Sequence, residues 1–100
     1  MTIGMPACLM GDFYRTQVTM HKFMVEKGMD PAKASQGIAS YIETFNAMSL
    51  KAGEEGFDHL VAEQTPGGMN ERIIKELEAG GNYKNLDKAM ETLLPKLLGK

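Results

Sequence analysis

The sequence predicts an all-α domain, a helical bundle of about five helices, and three observations carry that expectation. Apolar residues recur at helical intervals along most of the chain. No run alternates apolar and polar residues as a half-buried strand would. Stop and start signals stand between the apolar segments, as at Gly28 and in the pair Asp30-Pro31.

Each element follows from its own pattern. Residues 10–27 place Met10, Phe13, Tyr14, Val18, Phe23, Met24 and Val25 near one helical stripe, and Gly28 follows as a stop. Asp30 as N-cap and Pro31 in the first helical position open a second long helix. Its apolar face is Ala34, Ile38, Tyr41, Ile42, Phe45, Met48 and Leu50, and "AGEEG" at 52–56 ends it. A short third helix, "DHLVAEQ", takes Asp58 as its cap. The fourth begins at Thr65, with Pro66 at its first position, and runs to Ala79. It buries Ile73, Ile74 and Leu77 and closes on Gly80-Gly81. The fifth covers 86–98, with Leu86, Met90, Leu93, Leu94 and Leu97 in register and Pro95 predicting a kink or a terminal turn. The first two helices would each span roughly 25–30 Å. Their apolar arcs exceed what three short helices cover, and such surplus predicts a homodimer. A monomeric bundle with methionine-rich surfaces is the alternative.

Composition narrows the function. One hundred residues, 43% of them apolar, are expected to form a single domain over 1–100 with one modest core. A net charge of -2 gives no basic face for nucleic acid. No apolar run approaches the ~18 residues of a membrane span. "MTIGMPACLM" has neither the basic start nor the cleavage site of a signal peptide. The one cysteine, Cys8, fits a reducing compartment, so a cytoplasmic location is expected; without a basic neighbour to activate it, it reads as a small buried residue. The nine methionines read as core filling or a packed helical interface, since no metal-binding spacing with His or Cys accompanies them. His21 and His59 stand apart, and each reads as an exposed or interface residue rather than a catalytic base. No nucleotide fingerprint occurs: "GEEG" at 53–56 lacks the required spacing and follows a helix. No nucleophile–base constellation is visible, so no catalytic residue is assigned.

One stretch resists this bland reading. "TPGGMN", residues 65–70, spends two glycines in what would be the first turn of a helix, each costing up to ~1 kcal/mol against alanine. A helix N-terminus offers unpaired N–H groups and a positive dipole end. Glycines there would let a small anion such as a carboxylate touch the amides around Gly68, Met69 and Asn70. A tight helix–helix contact would explain the glycines equally well, and Glu71 counts mildly against an anion.

The order helix, Gly, helix, short helix, "TPGG", helix, "LEAGG", helix resembles the C-terminal domain of the pyrroline-5-carboxylate reductases. Members of that family carry S-P-G-G-[TA]-T before a helix that ends in a pattern like L-E-x-G-G. "TPGGMN" and "LEAGGNY" occupy the matching places, and "VEKGMDPAKA" resembles the connection between the two long helices. The likeness covers roughly residues 11–98, with one residue fewer than expected between Pro31 and Pro66. It implies a helical domain of the 6-phosphogluconate dehydrogenase C-terminal type that dimerises by interleaving its long helices. It further implies a substrate loop made of Thr65, Gly67, Gly68, Met69 and Asn70, facing a small carboxylate-bearing substrate. The cofactor, NAD or NADP, belongs to a preceding Rossmann domain, so no cofactor is expected on this chain. Two positions depart from the pattern. Asn70 replaces the threonine that helps hold the carboxylate, after a bulky Met69, and "CLMGDF" stands where the family has G-S-G-P-A-Y. The scaffold therefore transfers better than the substrate. The expected protein is the dimerisation and substrate-binding part of an NAD(P)-dependent oxidoreductase, a C-terminal fragment or a stand-alone relative, inactive alone. A non-catalytic helical dimerisation module is the alternative.

Overall fold

The computed structural model describes residues 4–99; positions 1–3, part of the stretch expected not to be a signal peptide, lie outside them. Every regular element among the described residues is helical: α1 (Gly4–Cys8), α2 (Met10–Glu26), α3 (Pro31–Glu55), α4 (Phe57–Ala62), α5 (Met69–Ala79) and α6 (Asn82–Leu97). The expected all-α class holds. The sixth element, α1, was not foreseen; it is a single turn that contacts α6.

The described residues form two compact units, one of residues 9–62 and one joining 4–8 to 63–99. In the first, α3 contacts both α2 and α4. The α2–α3 corner is built by local chemistry. Met29 N–H donates to the Met24 carbonyl and Gly28 N–H to that of Val25, both at 3.0 Å. Gly28 sits at φ +108°, so the corner is a Schellman cap that needs a residue tolerant of positive φ. Two residues later the Asp30 carboxylate accepts the Lys33 N–H at 3.1 Å, and Pro31 begins α3 as read from the sequence.

Several boundaries move. α3 does not stop at Ala52: it continues through Gly53, Glu54 and Glu55, and its 25 residues extend about 37 Å. A helix-interior glycine costs only ~1 kcal/mol, whereas the positive φ that ends a helix is met at Gly56, φ +99°. α4 starts at Phe57, so Asp58 lies in its first turn and is not the cap. α6 opens at Asn82, after Gly81 at φ +78°, a full turn earlier than its leucine register suggests. Pro95 lies inside α6 close to its end, which is the terminal-turn alternative.

Burial is sparse. Among the described residues only Ala34 and Ala52, both on α3, are buried hydrophobic residues. On α2 the half-buried positions near the corner are Gln17, His21, Met24 and Val25, while Phe13, Tyr14, Val18 and Phe23 are exposed. On α3, Ile38 and Ile42 are half-buried, yet Tyr41 and Phe45 remain 68% and 55% exposed. In the second unit the predicted α6 register is half-buried throughout, at Leu86, Met90, Leu93, Leu94 and Leu97. α5 buries less than expected: Ile74 is half-buried, but Ile73 and Leu77 are exposed. Cys8, expected inside, is exposed.

Candidate functional site

The stretch 65–70 is a turn followed by a helix, and the fourth helix does not begin at Thr65. Gly68 N–H donates to the Thr65 carbonyl at 2.9 Å across a four-residue turn, with Pro66 second and Gly67 third. Gly67 has φ +76°. Proline in the second place and a positive-φ glycine in the third are the arrangement of a type II turn. Pro66 therefore serves the turn and not the first helical position. Gly68 is the N-cap of α5, in extended backbone, and Arg72 N–H closes the first helical bond onto its carbonyl at 3.1 Å.

The two glycines thus have separate local reasons. Gly67 supplies a left-handed backbone, and a β-carbon there would meet nothing within 4 Å. A β-carbon on Gly68 would lie 3.0 Å from the Thr65 carbonyl oxygen and 3.3 Å from the Thr65 β-carbon. The crowding that a Gly68 side chain would meet within the chain comes from the loop's own turn. In sequence terms the signal was T-P-G-G read as a turn signature.

Around this turn the five expected substrate residues take distinct positions. Thr65 offers its carbonyl to the turn, while Gly67, Gly68, Glu71, Arg72 and Lys75 line an open cleft of about 410 Å³ along α5. Met69 is 86% exposed, and Asn70 is exposed beside it in the first helical turn. The first-turn amides have no intrahelical acceptor. One anion is already present: the Glu71 carboxylate accepts a hydrogen bond from the Gly67 N–H and pairs with Lys75 Nζ at 2.9 Å. The Lys75 hydrogen bond first, and the Gly67 amide second, hold the Glu71 carboxyl below its ordinary range. Glu71 stands three residues after the N-cap, as in a capping box, but its carboxylate meets the Gly67 amide, because the Thr65 carbonyl already holds that of the N-cap Gly68. Arg72 and Glu76, 3.5 Å apart, form a second solvated pair on the same helix.

The α2–α3 pair carries two further concavities. His21 Nε2 lies 3.1 Å from the Pro31 carbonyl, which also accepts from Ser35 Oγ, so the histidine ties α2 to the first turn of α3. A shallow cleft of about 430 Å³ borders it, with Tyr14, Gln17 and Lys22 among its walls. The other is an almost wholly apolar groove of about 500 Å³ lined by Met20, Met24, Gly37, Tyr41 and Phe45, with Lys33 its charged residue. His59 approaches Glu55 at 3.8 Å on the solvated start of α4. Among the described residues no group of His, Cys, Asp or Glu is placed to hold a metal ion, and no helix is long and apolar enough to cross a membrane. No protein-family model, curated protein or solved structure matches this chain.

Proposed function

We propose that the chain is the dimerisation and substrate-binding domain of a pyrroline-5-carboxylate reductase-like, NAD(P)-dependent oxidoreductase, and that it is not active alone. The observation that carries this reading is the "TPGG" turn. Its proline and positive-φ glycine form a turn directly before α5, whose first amides belong to the exposed residues Met69 and Asn70. There they could orient a substrate carboxylate by position and charge, while a cofactor domain delivers hydride. Two long helices with open aromatic faces support the dimer half of the reading. The decisive experiment joins this chain to a Rossmann domain of the family and follows cofactor oxidation with cyclic imino acids. Turnover lost on Gly68→Val while the fold persists supports the assignment; turnover indifferent to that change sinks it.

A second reading, a non-catalytic helical dimerisation module, is favoured by one specific feature. Glu71 already supplies a carboxylate to the Gly67 amide, so this loop satisfies part of its own anion demand. A strand–G-x-G-x-x-G–helix pattern encoded directly upstream separates the two, since only the oxidoreductase reading requires it.

A further inference from the structure

We propose that the groove between α2 and α3 binds one long-chain fatty acid, with its carboxylate at Lys33 and its hydrocarbon tail running toward Phe45. On α3 the lining residues Lys33, Gly37, Tyr41 and Phe45 recur every four positions, so they share one face of the helix. Met29 at the corner, then Met24 and Met20 on α2, line the other side. The groove thus starts at the corner with its one charge and continues between apolar walls. Its volume of about 500 Å³ is ordinary for a small-molecule site. From Lys33 to Phe45 the helix rises about 18 Å, close to the length of an extended chain of about fourteen carbons.

The polarity of the groove selects the occupant. The Lys33 ammonium makes no ion pair among the described residues, and the nearby Asp30 carboxylate is held by the Lys33 backbone N–H. A wholly apolar partner would cover that ammonium without an acceptor, at a cost. One positive charge matches one carboxylate, whereas a phosphate headgroup with two negative charges finds no second cation in this lining. The ion pair is solvent-exposed, so it orients the ligand and adds only a few-fold in affinity. Burial of the tail supplies the rest, against thioethers flexible enough to follow its shape. Gly37 is half-buried in the groove wall, with nothing within 4 Å of where a β-carbon would stand, so the tail can pass close over the backbone there. The turn at 65–70 belongs to the other unit, and the two sites stand or fall separately.

The test is calorimetry of the full chain with saturated carboxylates of about six to sixteen carbons, held below their micelle thresholds. Affinity should rise about two- to fourfold per added methylene and level off near about fourteen carbons, at one molecule per chain. Decanol, with the tail of decanoate but no charge, should bind about three- to fivefold more weakly than decanoate. Lys33→Glu should reverse the preference, weakening decanoate and favouring decyltrimethylammonium. Glutamate suits the first turn of a helix, so α3 keeps its start. Gly37→Leu should lower myristate affinity at least about tenfold, because the leucine fills the groove while suiting the helix. No saturable binding, affinity that climbs without a plateau, a head-group preference that Lys33→Glu leaves as it was, or full affinity in Gly37→Leu overturns the proposal. Sedimentation with and without myristate adds one further outcome: a chain that self-associates through this groove and takes up no myristate makes a second copy the occupant and also overturns it. Should either variant not fold, the chain-length series and the decanol comparison in the unaltered chain decide.

Discussion

Gly67 and Gly68 are adjacent and chemically identical, yet they answer different local demands. Gly67 holds φ +76°, where a β-carbon strains the backbone whatever the room around it. Gly67→Ala should therefore cost about 1–2 kcal/mol, read from chemical denaturation. Gly68 has an ordinary φ, but its β-carbon would press on the Thr65 carbonyl oxygen, a backbone atom that can shift only by loosening the turn. Gly68→Ala should lower stability by about 1 kcal/mol, within the range of small overpacking effects. A rise in melting temperature would show that the turn yields freely and that α5 gains from alanine. Glu71 supplies a pH signature. Its folded carboxyl is depressed by Lys75 and the Gly67 amide, so its contribution is present above the unfolded carboxylate value and is lost as pH falls through the lower folded one. Glu71→Gln should flatten that acid limb, and NMR titration of the Gly67 amide should follow the Glu71 carboxyl in the parent chain. An amide that stays still through the acid range would dissociate the two groups.

At the scale of elements, the corner from Met24 to Lys33 shows how far local signals reach. Gly28 at positive φ, Asp30 as acceptor and Pro31 in the first helical position act within ten residues and were all legible in order. Asp30→Ala should cost about 1 kcal/mol of stability, because the Lys33 N–H loses its side-chain partner. An unchanged denaturation midpoint would mean that water caps α3 equally well. The end of the same helix was read less well. "AGEEG" contains two glycines, and nothing local distinguishes Gly53, carried inside the helix, from Gly56, which ends it at φ +99°. The start of α5 was misplaced for a related reason. T-P suits both a helix opening and a turn, and the hydrogen bond from Gly68 to Thr65 selects the turn.

For the molecule as a whole, the open apolar faces dominate. Phe45 is 55% exposed in the isolated chain, so Phe45→Asp should not unfold it but should abolish association, with helical circular dichroism retained. A variant that sediments as the parent does would remove Phe45 from any interface. The chain should also show no saturable binding of NADH or NADPH by calorimetry, since it carries no phosphate-cradling glycine fingerprint after a strand. Measurable saturation would overturn the division of labour proposed for the two domains.

The amino-acid sequence by itself determined the helical class, the α2–α3 corner and the leucine register of α6, because each depends on neighbours within about two turns. Periodicity marks which side chains form an apolar stripe, but it does not say what covers them. It grouped Ala34, Ile38, Tyr41 and Phe45 on one face, and the tertiary structure turned Ala34 inward and left the aromatics open. Likewise, the spacing between Gly68 and Glu71 was visible, but only the folded loop brought the carboxylate onto the Gly67 amide with Lys75 beside it. Helix formation is decided along the chain; coverage of a stripe and the direction of a side chain are decided by the atoms that distant residues bring close.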